Sequence, residues 1–232
     1  MAALLEIRDV NKSFDSLQAL VACSFQVEAG EILGVIGPNG SGKTTLFNLI
    51  AGFLPPDGGR IVLRGEDIAG LRPHEIARRG IGRTFQITRI FPKMTLLENL
   101  LLPARGPDAV ARAQKYLAMV GLADLRDEYA SDLSFGQQKL VSLMQVVMLD
   151  PALILLDEPA AGINPTLLNR LIELVHRLND EGKTFMIIEH NMDVVMRNCH
   201  RIVVLSLGHK IAEGPPEAIR RDERVLTAYF GK

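Results

Sequence analysis

Apolar and polar positions alternate irregularly over residues 4–10 and 18–27, as in half-buried strands, and predict an antiparallel opening. The pattern then changes. Residues 31–37, EILGVIG, form a short apolar run ending in glycine, which suits a strand buried on both faces. A Gly-rich loop follows at 37–44, with a helix predicted over 45–51 and turn chemistry in PPDGG at 55–59. Residues 60–63 and 81–85 read as further short strands. From about residue 95 to 149 the spacing is helical, in TLLENLLL, DAVARAQKYLAMVGL and SFGQQKLVSLMQVVML. Strands then return in alternation with helices: strand 152–156, helix 165–179, strand 183–188, helix 192–198, strand 201–207. Such alternation predicts a mainly parallel α/β sheet, with the helical middle inserted as a second lobe. No internal repeat or low-complexity tract interrupts it.

Composition narrows this picture. The chain has 232 residues, 47% of them hydrophobic, enough for a well-buried core in one domain or two closely joined lobes. With 26 basic and 27 acidic side chains, no global field points to nucleic acid or an acidic membrane surface. Cys23 and Cys199 are too few and too distant for a disulfide framework, so a reducing compartment is expected. The N-terminus lacks the pattern of a signal peptide. No run reaches the roughly 18 apolar residues of a membrane span; the longest candidate, 140–149, carries Ser142 and Gln145. A soluble chain is expected, with any membrane association made through a partner.

The strongest chemical motif is GPNGSGKT, Gly37 to Thr44. Glycines let successive backbone N–H groups turn inward around phosphate oxygens. Lys43 brings a positive charge to the β- and γ-phosphates, and the Thr44 hydroxyl is suited to ligating Mg²⁺. The helix that follows aims its N-terminus at the same anion. A random chain of this length matches the pattern about once in a hundred. A second motif, LILLDEP, is an apolar strand ending in two carboxylates. Ligands gather at the carboxyl ends of strands in parallel sheets. Asp157 is therefore placed to hold Mg²⁺ directly or through water. Glu158 is placed to accept a proton from attacking water, a role typically worth about 10²–10⁴-fold in rate.

LSFGQQ, residues 133–138, has no charge, metal pattern or nucleophile partner. A helix cap accounts for Ser134, but not for Gly136 or the paired Gln137-Gln138. The order of motifs supplies a reason. Phosphate loop, Gln86, LSFGQQ, LILLDEP and His190 after FMIIE together resemble the ATP-binding subunits of ABC transporters, over nearly the whole chain.

That resemblance implies a P-loop NTPase, RecA-like, with a mainly parallel sheet core. It adds an N-terminal antiparallel β subdomain and an inserted α-helical subdomain. The ATP-binding lobe would comprise 1–85 and 151–232, and the helical lobe about 86–150, within one nucleotide-binding domain. It implies ATP and Mg²⁺ as cofactors. Phe14 would stack on adenine, and Gly37, Pro38, Asn39, Gly40, Ser41, Gly42, Lys43, Thr44 and Thr45 would hold the phosphates. Mg²⁺ would be attended by Thr44, Gln86 and Asp157. Glu158, His190 and Gln86 would be catalytic, with His190 bonding the γ-phosphate. Ser134, Phe135, Gly136, Gln137 and Gln138 would act in trans, completing the site of a second subunit packed head to tail. Phe135 stands where the commonest family form has glycine. Asn164, in AAGINP, stands where it has aspartate.

GIGRTFQ, MTLLENLL, DEPAAGINP and VLTAYFGK give a finer likeness to the LivG-type subunit of branched-chain amino-acid importers. The reading is thus an ATPase that dimerises with itself or a related subunit. It would lie on the cytoplasmic face of the inner membrane, drive integral permease subunits, serve a substrate-binding protein indirectly and bind no nucleic acid. Alternatives are the ATPase of an importer for urea, another amide or another amino acid, and a non-transport ABC-type switch protein. A small-molecule P-loop kinase is a further rival, against which LSFGQQ argues.

Overall fold

The structure, a computed structural model, describes residues 3–84 and 90–230. Strands β1 (Ala3–Phe14) and β2 (Leu17–Glu28) open the chain as an antiparallel hairpin. Both run longer than the apolar pattern predicts, because bulges let the pairing continue past polar positions. β1 therefore carries Phe14 to its last residue. With β4 (Gly58–Leu63) and β5 (Glu66–Asp67) the hairpin forms a four-stranded sheet in the order β2-β1-β4-β5.

The second sheet has six strands, in the order β10-β9-β3-β8-β7-β6. Its members are β3 (Ile32–Ile36), β6 (Ile81–Arg83), β7 (Leu153–Asp157), β8 (Thr184–Ile188), β9 (Arg201–Ser206) and β10 (His209–Gly214). All neighbours pair in parallel except β10, which closes one edge antiparallel to β9. The apolar runs are explained by burial on both faces. Ile32, Ile154, Leu156, Phe185, Ile187 and Val204 face one core; Leu33, Val35, Leu153, Leu155, Met186 and Val203 face the other. One core packs against α1 (Lys43–Ile50), α2 (Pro73–Arg78) and the four-stranded sheet. The other packs against α6 (Pro165–Asp180), α7 (Met192–Asn198) and the helical middle.

That middle contains α3 (Leu96–Leu101), α4 (Ala109–Met119) and α5 (Phe135–Met148). Turns separate the three, the first break falling at Pro103, Gly106 and Pro107. A capping box of Thr95 and Glu98 starts α3. Asn99 is fully buried and satisfied, donating to the carbonyls of Phe91, Met94 and Thr95 and accepting from the N–H of Phe91. It fastens the approach segment to α3.

Sequence reading misplaced the start of α1, which begins at Lys43 with Gly42 as its N-cap, and missed β5, α2 and β10. It also missed α8 (Pro216–Arg221) and α9 (Glu223–Phe230). The expected strand over 81–85 ends at Arg83 among the described residues, and Phe85 and Gln86 lie outside them. No helix among the described residues is long and apolar enough to cross a membrane.

Candidate functional site

The carboxyl ends of β3, β7 and β8 converge on one side of the six-stranded sheet. β3 delivers the phosphate loop there, and α1 leaves it. Gly42 shows why that corner requires glycine: its φ is +103°, and a Cβ would meet the Ala19 carbonyl oxygen at 2.4 Å. Lys43 is buried and turned back into the loop. Its Nζ donates to the carbonyls of Gly37 at 2.8 Å and Pro38 at 2.9 Å. Burial lowers its pKa, and the nearby Glu158 and Asp157 carboxylates oppose that shift. Because α1 starts at Lys43, the leading N–H groups of the helix belong to the motif itself and have no acceptor within the helix.

An open cleft of about 510 Å³ lies over this loop. Phe14, the loop from Asn39 through Thr45, Glu158 and His190 line it together. Gly37 and Pro38 lie behind that lining, as acceptors of the Lys43 ammonium. Phe14 is well exposed, at 41%, with the Lys12 ammonium 5.6 Å from its ring centre. An exposed aromatic at the end of a strand beside a phosphate cradle presents a π-face for stacking.

Glu158 follows β7 with φ +48°, the left-handed region, which costs a non-glycine residue about 1–2 kcal/mol. Its N–H donates to the Ile188 carbonyl at 2.9 Å. Its Oε1 stands 2.8 Å from His190 Nε2, so an imidazole protonated at Nε2 donates to the carboxylate. Asp157, one residue earlier, does not line the cleft. It is buried, and its Oδ2 accepts from Arg83 Nη2 at 2.8 Å; Arg83 also donates to Asn48 Oδ1 at 2.7 Å. The Asp157–Arg83 pair was not foreseen, although a charge within the strand run GIGRTFQ is its signal in the sequence.

Ser134 to Gln138 lie apart from this cleft, at the N-terminus of α5. Here one expectation is corrected, since local structure accounts for more than Ser134. The Gln137 Oε1 accepts from the Ser134 N–H at 2.9 Å and its hydroxyl at 2.8 Å, completing a capping box. Gln138 Nε2 donates to the carbonyls of Ala130 and Leu133. A Cβ on Gly136 would fall 1.9 Å from Leu167 Cδ2, so Leu167 of α6 leans over this bare backbone and would have to turn away from any side chain there. Asn164 caps α6, accepting from the Leu167 N–H at 2.9 Å, a task that needs no ionic charge.

A family described as "ABC transporter" matches residues 20–161, and one described as "Branched-chain amino acid ATP-binding cassette transporter" matches residues 209–232. A probable branched-chain amino acid transport ATP-binding protein, LivG, of Archaeoglobus fulgidus is 39% identical, covering 98% of this chain and 95% of that protein. The BraF protein of Pseudomonas aeruginosa, a high-affinity branched-chain amino acid transport ATP-binding protein, is 38% identical over 99% of this chain and 98% of its own. Among solved structures, the ADP conformation of an ATP-binding cassette of an ABC transporter superposes with a TM-score of 0.92, at 35% identity and full coverage of both chains. A dimeric bacterial ABC transporter cassette superposes with a TM-score of 0.81 at 28% identity, over 91% of this chain and 98% of that one.

Proposed function

This chain belongs to the ABC transporter family of ATP-binding subunits, and on that premise we propose that it hydrolyses ATP to power import of branched-chain amino acids. One observation carries the ATPase reading. The 510 Å³ cleft brings an exposed aromatic, a phosphate loop, a strained carboxylate and a histidine onto one surface, from segments far apart in the chain. Likeness of residues 209–232 to a branched-chain amino acid cassette, and of the whole chain to LivG and BraF, supports the transport substrate.

In this reading the adenine stacks on Phe14, and the phosphates lie on Gly37 to Thr45. The helix N-terminus and the Lys43 ammonium supply the attraction. Lys43 must exchange its two carbonyl bonds for phosphate oxygens when nucleotide arrives. Glu158 takes the proton of the attacking water, held by His190. Mg²⁺ fits the available donors. Thr44 lines the cleft and Asp157 lies just behind it with Oδ2 taken by Arg83, so the two would hold the ion through the Thr44 hydroxyl and the remaining Asp157 oxygen, ligands a hard cation prefers, with Gln86 a third by family likeness. Held there, Mg²⁺ would offset the charge that develops on the phosphates.

Two copies, or one copy and a related subunit, close face to face so that each Ser134 helix end meets the other's γ-phosphate. Helices α3 to α5 form a lobe directed at the permease, and the assembly works at the cytoplasmic face of the membrane. Turnover of Glu158→Gln tests the chemistry: ATP binding persists while hydrolysis falls about 10²-fold or more. Unimpaired hydrolysis would remove Glu158 from its role. Uptake assays in vesicles holding the permease subunits test the substrate: ATP-driven entry of leucine, isoleucine and valine is expected, and entry of urea in their place would overturn that assignment.

A further inference from the structure

Two side chains grip the loop that follows Glu158, and the chemistry above uses neither. Lys139, in the second turn of α5, donates from Nζ to the Pro159 carbonyl at 3.3 Å and also to that of Ala161. The same ammonium stands 5.4 Å from the centre of the Phe135 ring, which in turn lies against Gly162. Burial lowers the Lys139 pKa, with the Glu189 and Glu158 carboxylates opposing that shift, so carbonyl dipoles and carboxylates replace part of its water. From the other side, Glu189 is 3% exposed; its Oε1 accepts from the Ala160 N–H at 2.6 Å. Its Oε2 accepts from the N–H of His190 at 3.0 Å and of Asn191 at 3.3 Å. Pro159, Ala160 and Ala161 are thus held in succession at carbonyl, N–H and carbonyl.

The loop needs such anchors. Ala160, Ala161 and Gly162 have no side chains able to fix it. Glu158 holds a left-handed backbone, which persists only where its surroundings over-determine it. We propose that Lys139 and Glu189 are positioning residues that clamp this loop and so hold Glu158 toward the cleft. Lys139 locks the Ser134 end of α5 to the Glu158–His190 pair, and Phe135 supports it. One edge of the half-exposed Phe135 ring lies against the loop at Gly162 and its face takes the Lys139 ammonium, which gives a large side chain at 135 a task within its own chain. The inference rests on Glu158 being the general base. On the two-copy reading, it also makes the helix end that meets one nucleotide rigid with the carboxylate that serves the other.

The test is the steady-state ATPase of three variants, with nucleotide affinity measured by a fluorescent ATP analogue and folding by thermal melts. Lys139→Met keeps the stem and loses the donors. Its kcat should fall about 10-fold or more with KM and affinity within about twofold, because the phosphate loop is untouched while the base is misplaced. Lys139→Arg keeps the donors and should recover to within about threefold. Glu189→Gln should show the same split between kcat and KM. Wild-type kcat in Lys139→Met, a matching loss of nucleotide affinity, or failure of arginine to rescue would overturn the clamp. Should the methionine variant not fold, wild-type kcat in Glu189→Gln would overturn it equally. Failure of the general-base reading appears separately, as unimpaired turnover in Glu158→Gln.

Discussion

Gly136 carries two demands that mutation can separate. Replacing it with alanine puts a methyl carbon 1.9 Å from Leu167 Cδ2 and 3.3 Å from Leu167 Cγ. The first distance is impossible, so Leu167 must rotate or α6 must shift. Overpacking of this kind costs about 1–3 kcal/mol. Alanine's better helix propensity returns at most about 1 kcal/mol, and less in a first turn. A net loss of about 1–2 kcal/mol lowers the melting temperature of a chain this size by about 2–8 °C. Leu167→Ala removes the clashing atoms, so the double variant should be more stable than the sum of the singles by about 1–2 kcal/mol. Urea denaturation of all four proteins measures that coupling. Turnover reads the other demand. If the backbone at 136 must also approach a partner's phosphate, the double variant regains coupling energy but stays slow. Additive denaturation free energies would refute the packing argument, and full ATPase recovery in the double variant would refute the second role.

Other outcomes follow from the same structure. Arg83→Met strands a buried Asp157, since the pair is only 8% and 9% exposed; removing one partner of such a pair costs about 3–5 kcal/mol, and a shift in urea unfolding below about 1 kcal/mol would contradict it. Asn164→Ala should lose about 1 kcal/mol of stability while Asn164→Asp stays within about 0.5, because the position caps α6; equal losses would refute the cap. Burial raises the thiol of Cys23 to about 11 and that of Cys199 to about 12. At pH 8 both are therefore protonated in the fold, and a disulfide reagent should label the folded chain at least about 10²-fold more slowly than the urea-unfolded chain. Rapid labelling of folded protein would contradict the burial of both.

What was legible in the sequence was local. The sheet could be read because each central strand is apolar along most of its length, with polar residues only at its ends, which burial on both faces explains. The phosphate loop could be read because its chemistry is contiguous, from Gly37 to Thr44. The missed pieces are of two kinds. Residues 209–230 fold into an edge strand and two short helices, too brief and too polar to carry a period. Arg83, Lys139 and Glu189 act across chain separations of 74, 20–22 and 29 residues; a charge inside an apolar strand run hints that Arg83 is paired, but no pattern in a single sequence names any of these partners. LSFGQQ is the mixed case. Its glutamines and glycine already have work inside their own chain, so the need for a second subunit is argued from likeness.

That need has a direct measurement. Lys43→Ala disables the phosphate loop, and Ser134→Arg disables the helix end, leaving each variant inactive alone. Mixed in equal amounts, the two should form heterodimers in which one composite site has both its loop and its helix end intact. Half the dimers would then hold one good site of two, so ATP hydrolysis should return to roughly a quarter of the wild-type rate. If both variants fold and their mixture stays as inactive as either alone, the nucleotide is not shared between two chains, and the account fails.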